Sequence, residues 1–287
     1  MNVPRGWGRT GFVVVIPARN EAERLPHAFA ALAGEGALDI VVVANGCVDG
    51  TSAIAREGRT PLRVATIETD PLTGGVGAAR RMGMTLALER ASAPILATTD
   101  ADCRVRPGWL AATRTALERA DAVCGYVEPD ATEFGALPPL VREHGTLEDL
   151  RDGLRAHLAA LQAPAPHNPL PCHGQTPGAS LAFTARAYRM AGGFEAIPCH
   201  EDRRLIARMA AMGLRVARPA TVRVAASCRL EGRAPGGMAA TIAARRDDAP
   251  RLHREIADMT QEIAALRRAI AKACAADRTW GDSLPAA

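Results

Sequence analysis

The chain has 287 residues, enough to bury the core of one large α/β domain with an appendage or of two small domains. Apolar residues make up 48% and charged residues 23%, a balance that excludes wholesale disorder. The formal charge of +4 is modest, and no Lys/Arg block interleaved with aromatics offers a nucleic-acid track.

The seven cysteines are scattered, with no C-x-x-C pair, which predicts reduced, mostly buried thiols and a cytosolic setting. The spacing of Cys172-His173 and Cys199-His200 matches no common zinc pattern. No signal-peptide h-region opens the chain and no apolar run approaches the ~18–20 residues of a membrane span, so a cytoplasmic protein, free to visit a membrane surface, is expected.

Gly11–Ala18 is a continuous β-branched run, the mark of a strand buried on both faces of a parallel sheet. Asn20 and the acids after it predict a helix opening with Asn20 as its cap, carrying Leu25, Phe29 and Leu32 on its apolar face. Asp39–Ala44 is a second strand, stopped by Asn45-Gly46, and Asp49-Gly50-Thr51 caps a second helix. Leu62–Ile67 is a weaker third strand. The glycine-rich Gly74–Gly77 leads into a helix to about Arg90, but it follows a polar loop and its third spacing ends in Arg80, which argues against a dinucleotide fingerprint.

The fourth strand, from Pro94, runs into Asp100-Ala101-Asp102. In an open α/β sheet ligands lie outside the carboxyl ends of the strands, so both carboxylates would face the substrate crevice. Two hard oxygen donors suit Mg2+ or Mn2+ accompanying a diphosphate; an Asp-rich turn before the next helix is the bland alternative. A helix from Pro107 to about Arg119 and a strand over Ala122–Val127 follow. Residues 129–177, with a helix over about 137–161 and a proline-rich loop over 163–171, read as an insertion or lid outside the sheet. A strand over Gly178–Thr184 and a short helix ending near Gly192-Gly193 precede Glu201-Asp202, which head an amphipathic helix closed by Gly213. A strand pair, 214–217 and 222–226, leads to Arg229. The clusters Arg80-Arg81, Arg203-Arg204 and Arg229 with Arg233 suit phosphate groups met one at a time. Residues 238–276 are helical, and the stripe Ile256, Met259, Ile263, Leu266 and Ile270 would pack on the body or on a second copy of the chain.

Four pieces in order over about 12–233 carry a resemblance: Val14–Glu21, Asp100-Ala101-Asp102, Gly178–Phe183 with Gly192-Gly193-Phe194, and Glu201-Asp202. With them the chain resembles family 2 glycosyltransferases of the GT-A fold. The resemblance implies a Rossmann-like, mostly parallel sheet flanked by helices, with residues 1–237 as the nucleotide-sugar-binding and catalytic domain, 129–177 as the acceptor-side insertion and 238–287 as a helical extension. It implies a nucleoside pocket at Pro17, Arg19 and Glu21, with Asn45 after the second strand and Arg80 and Arg229 as basic groups toward the nucleotide and diphosphate. It implies metal binding by Asp102, with Asp100 holding ribose or supporting the metal, and Mn2+ or Mg2+ as the ion. Asp202 resembles the general base, with Glu201 positioning it or a hydroxyl, and transfer to an acceptor hydroxyl with inversion is expected.

Two departures stand out. The acidic pair usual after the second strand is here Ala44-Asn45, and an amide both donates and accepts, so uridine, guanosine and other donors all stay open. No histidine lies near Ser227 as a third metal ligand, which leaves His200 or water. Two rival readings share the fold. A sugar nucleotidyltransferase would need a Gly- or Ser-containing loop and a lysine for a triphosphate, where this chain has Asn20-Glu21-Ala22-Glu23 and a single lysine, Lys272. A non-catalytic nucleotide-sugar-binding protein would not need Asp100, Asp102 and Asp202 together.

Overall fold

The computed structural model describes residues 1–92, 94–232 and 237–281. Arg233, grouped above with Arg229, and residues 282–287 of the expected C-terminal extension lie outside the described residues.

The elements run β1 (Phe12–Ala18), α1 (Leu25–Gly34), β2 (Asp39–Asn45), α2 (Thr51–Glu57), β3 (Arg63–Thr69), α3 (Gly75–Arg90), β4 (Ile95–Thr98), β5 (Cys103–Val105) and α4 (Trp109–Leu117). They continue with β6 (Ala122–Cys124), β7 (Tyr126–Pro129), α5 (Ala131–Gly135), α6 (Pro139–Gln162), β8 (Leu181–Thr184) and α7 (Ala185–Met190). Last come α8 (Glu201–Ala211), β9 (Val216–Ala217), β10 (Arg223–Ala226), α9 (Met238–Arg246) and α10 (Ala249–Gly281). A central sheet has the order β3-β2-β1-β4-β8-β6-β9, parallel throughout except for β8, which runs antiparallel to β4 and β6. A smaller sheet, β5-β10-β7, leans on its carboxyl edge.

The β-branched run of β1 explains why the sheet is covered on both faces. Successive side chains alternate sides: Phe12, Val14 and Ile16 join Leu25, Phe29 and Leu32 of α1 and Trp109 of α4. Val13 and Val15 join Met84 and Ala87 of α3 and Leu205 and Met209 of α8. Each such side chain contributes about 1.5–3 kcal/mol when fully buried, which makes this doubly covered sheet the rigid part of the molecule. The two layers leave the carboxyl ends of β1, β2 and β4 uncovered.

The structure differs from the sequence expectation in three places. Asn20 is not a helix cap: it adopts φ 55°, its side chain accepts from the Val48 amide, and α1 begins only at Leu25 beside Pro26. The strand expected over 122–127 is divided at Gly125 between the two sheets; a Cβ at Gly125 would meet Ser180 Oγ at 2.1 Å, so glycine lets the chain turn there against the residue that precedes β8. The expected strand pair near 214–226 is likewise split, with β9 in the central sheet and β10 in the small one.

The long α6 of the 129–177 segment packs along α10. Leu137, Val141, Cys228, Ile242 and Leu252 form a separate cluster joining this layer to the loop after β10. Within the stripe foreseen on the C-terminal helix, Met259 and Ile263 are buried. Among the described residues, no helix is long and apolar enough to cross a membrane.

Candidate active site

A cleft of about 1250 Å³ opens above the carboxyl ends of β1, β2 and β4 and extends to α6, α8 and α9. All ten candidate residues, Pro17, Arg19, Glu21, Asn45, Arg80, Asp100, Asp102, Glu201, Asp202 and Arg229, line it.

β4 ends at Thr98, and the turn over 99–102 presents Asp100 and Asp102 before β5 begins at Cys103. One carboxylate oxygen of each Asp and the Cys103 sulfur lie within 4.8 Å of one another. Burial, and then the neighbouring Asp100 charge, push the Asp102 carboxyl up to about 6, while Arg229 acts against them. The carboxylate donors therefore fit a hard divalent cation, whose charge would relieve that strain. Cys103 does not fit as a ligand: it is buried, and burial with both Asp charges holds its thiol protonated well above the usual range.

Arginines from remote parts of the chain hold the carboxylates. The Arg229 guanidinium donates to both Glu21 oxygens, at 2.9 and 2.5 Å, and lies 3.0 Å from Asp102 Oδ2. The loop bearing Arg229 is fixed by Glu133 of α5, whose carboxylate accepts from Ser227 Oγ and the Cys228 amide, each at 2.7 Å, and from Arg24. Glu21 is buried, and its own amide donates to Thr51 Oγ1 at 2.8 Å. Arg80, on the buried face of α3, is only 3% exposed and pairs with Glu201 and, at 2.5 Å, with Asp100. It thus braces β4 against α8 at the cleft lining, with little of its own surface exposed.

The glycine-rich stretch before Arg80 has a structural use that the sequence left open. A Cβ at Gly77 would stand 2.3 Å from Glu195 O and 2.5 Å from Ile197 O, so glycine lets the first turn of α3 press against the loop that leads into α8. Gly178 acts similarly at the opposite wall, where a Cβ would meet the Arg80 guanidinium at 2.5 Å.

The first turn of α8 carries Glu201 and Asp202. Glu201 is 2% exposed and committed to Arg80. Asp202 is half-buried; its carboxylate accepts from the Gly178 amide at 2.6 Å and from the Arg203 amide at 2.7 Å, which fixes its orientation toward the cleft. Asn45 at the end of β2 accepts from the Leu72 amide at 2.8 Å, so its side-chain oxygen holds the loop after β3. Arg19 is exposed at the cleft edge.

Sequence reasoning missed several groups of the far wall: Glu148, Asp152 and Arg155 on α6, Arg245 on α9, and Gln175 and Arg218. Gln175 forms a pair of bonds with Val127, its Oε1 accepting from the amide at 2.9 Å and its Nε2 donating to the carbonyl at 3.3 Å, as an extra strand residue would. Nothing local in the sequence marks one face of α6 as the lining of a cleft. Only the packing of α10 behind α6 turns that face to the cleft.

The mixed sheet, with paired acids at one strand end and a helix headed by acids opposite, is the architecture of a GT-A glycosyltransferase. The sequence profile of "Glycosyl transferase family 2" matches residues 13–160, and the chain belongs to that family. The glycosyltransferase AglE of Haloferax volcanii is 35% identical over 101 residues, which cover 34% of this chain and 32% of that protein. The match thus spans about a third of that relative. Among solved structures, Staphylococcus aureus TarS residues 1–349 with UDP-GlcNAc superposes with a TM-score of 0.55 at 14% identity, covering 88% of this chain and 72% of that one. The mannosyltransferase PcManGT of Pyrobaculum calidifontis, with GDP-Man and Mn2+, gives 0.52 at 20% identity, covering 94% and 79%. At these identities the two superpositions speak to the fold.

Proposed function

We propose that this protein transfers a sugar from a nucleoside diphosphate to an acceptor hydroxyl, using a divalent cation at Asp102 and Asp100 and Asp202 as the general base, with inversion at the anomeric carbon. The observation that carries the reading is the convergence of Asp100 and Asp102 at the end of β4 with Asp202 on the facing first turn of α8, in one cleft. The UDP-GlcNAc of TarS and the GDP-Man and Mn2+ of PcManGT support the donor class and the ion without choosing the nucleotide.

In this reading the nucleoside lies against Pro17, Arg19, Glu21 and Asn45, at the ends of β1 and β2. Arg229 serves the diphosphate by leaving Asp102 while its bonds to Glu21 hold it nearby. Mn2+ or Mg2+, when bound, offsets the negative charge that develops on the departing diphosphate. Asp202 accepts the proton of the acceptor hydroxyl as its oxygen forms the new bond to the anomeric carbon; the nucleoside diphosphate leaves with the electrons of the old one. Glu201 does not meet substrate: it positions Arg80, which in turn positions Asp100. Residues 1–237 form the catalytic unit, with 129–177 as its acceptor-side insertion, and 238–287 is the extension that backs the far wall.

The test is a thermal-shift panel of UDP, GDP, CDP and dTDP sugars with and without Mn2+. A matching donor at about 100 times its Kd stabilises by about 2.7 kcal/mol, a rise of several degrees. Turnover should release free nucleoside diphosphate. If no nucleotide sugar raises the melting temperature, or if a nucleoside triphosphate is consumed with release of pyrophosphate, the reading fails.

A further inference from the structure

The charges lining the cleft do not all find partners. Arg229 and Arg80 are taken by Glu21, Asp102, Asp100 and Glu201; Arg245 is taken by Glu148 and Arg155 by Glu262. Arg218 and Arg203, on the side away from the β1 and β2 strand ends, form no ion pair with any described residue.

Arg218 is held in a defined pose. It follows β9, its amide donates to Asn168 Oδ1 at 2.6 Å, its Nε to the Gln175 carbonyl at 3.3 Å and its Nη2 to Thr176 Oγ1 at 3.2 Å. Its Nη1 forms no hydrogen bond with any described residue, and the side chain is half-buried at the cleft wall. Two residues beyond Thr176, the Gly178 amide holds Asp202, so one short segment fixes both the arginine and the proposed base. The titratable groups beside Arg218 offer it no counter-charge: burial pushes the Cys124 and Cys172 thiols up, and His173 is buried and bonded to the Cys124 carbonyl and the Gln175 amide, with burial, then the Arg218 charge, keeping it neutral down to about 4. Arg203 adds a second unpaired guanidinium next to Asp202, on the exposed side of α8. A half-buried guanidinium fixed by neutral partners, with donors left over, is a site built for an anion.

We propose that Arg218, assisted by Arg203, binds an anionic group of the acceptor, a phosphate or a carboxylate, and so selects a negatively charged acceptor and sets its hydroxyl beside Asp202. This rests on the glycosyltransferase reading for the word acceptor, but the anion site can be tested apart from it.

The full chain is held with Mn2+ and saturating nucleoside diphosphate, so that the donor side is filled, and its thermal shift is titrated with glucose, glucose 6-phosphate and glucuronate. The wild type should be stabilised by one or both anionic sugars and not by glucose; which of the two acts separates a phosphate from a carboxylate site. Arg218→Gln should weaken that anionic sugar at least about tenfold, and Arg218→Lys should retain part of the effect. Arg203→Gln should give a smaller loss. Equal responses to glucose and to both anionic sugars in the wild type overturn the proposal even if the variants do not fold, as does an unchanged anion response in Arg218→Gln. Should no nucleoside diphosphate bind, the donor reading fails by itself, and the loss of the anion response in Arg218→Gln still decides the Arg218 site.

Discussion

On the proposed donor side of the cleft, Glu21, Asp100 and Asp102 are each met by an arginine from a distant part of the chain, whereas on the proposed acceptor side Arg218 and Arg203 form no ion pair with a carboxylate among the described residues. The acids of that half are therefore already paired before any ligand arrives, although Arg19 at the cleft edge is in no ion pair with a described residue, and binding at Asp102 exchanges one ion pair for another. The acceptor half keeps unspent positive charge and can gain new pairs outright. Affinity for a donor should thus depend on a divalent cation to replace Arg229 at Asp102, while affinity for an anion should not.

The strongest way to break this contrast is at the base. Asp202→Asn keeps the shape but only one acceptor oxygen, so it retains the bond from the Gly178 amide or the one from the Arg203 amide and not both, and it cannot take a proton. Donor binding in the thermal-shift assay should be unchanged, and turnover, followed as nucleoside diphosphate release, should fall about 10²–10⁴-fold. An active variant would remove Asp202 from the chemistry and leave only its part in holding the Gly178 segment.

Asp102→Ala sharpens the donor side. The carboxyl is already disfavoured by burial and by Asp100, which hold it up near 6, and Arg229 keeps both bonds to Glu21 when Asp102 is gone. The variant should therefore fold with a melting temperature equal to or above that of the wild type, yet lose the Mn2+-dependent part of nucleotide binding. Retained Mn2+ dependence would place the ion elsewhere.

Much of this side was legible in the sequence, for a physical reason. A strand buried on both faces of a parallel sheet must be a continuous apolar run, so β1 and β2 announce themselves, and carboxylates at the end of β4 stand out against that background. Asp100-Ala101-Asp102 and Glu201-Asp202 could be found as local patterns. Their supports could not, because Arg80 and Glu201 are 121 positions apart and Glu133 reaches Cys228 across 95. Asn20 misled for the opposite reason: an Asn before acids is a good local helix signal, but the Val48 amide claims its side chain and the backbone turns left-handed. On the acceptor side the apolar stripe of α10 was visible, but its partner was not, since nothing local links residues near 260 to those near 150.

A third prediction probes the neutral histidine beneath the unpaired Arg218. His173 titrates at about 4 in the fold, held down first by burial and then by the Arg218 charge, against about 6.5 in an unfolded chain. Between these values the unfolded state binds more protons, so stability falls as pH drops from about 6.5 to 4, by up to about 3 kcal/mol from this group. In urea unfolding, the stability of His173→Gln should decline less than that of the wild type between pH 7 and 4.5. Parallel curves would mean that the imidazole can be protonated in place, and that the acceptor wall is less dry and less positive than its geometry implies.

The smallest effect concerns what holds the far wall in position. α10 is tied to α6 by the bidentate Arg155–Glu262 pair and by buried Leu252, Met259 and Ile263. Both partners of the ion pair are substantially solvated, with side chains 51% and 36% exposed, so water and salt screen their attraction. The buried side chains carry the attachment, at about 1.5–3 kcal/mol each. Glu262→Gln should therefore change stability in urea by less than about 1 kcal/mol, with the difference shrinking further in high salt. It would also free the Arg155 guanidinium at the cleft from that partner, adding positive character to a wall that already has Arg218 and Arg203 to spare. If Arg218 is the anion site, the variant should bind anionic sugars as well as the wild type does or slightly better. A loss of anion response in Glu262→Gln would show that the placing of α6, and not the unpaired arginine, governs that side of the cleft.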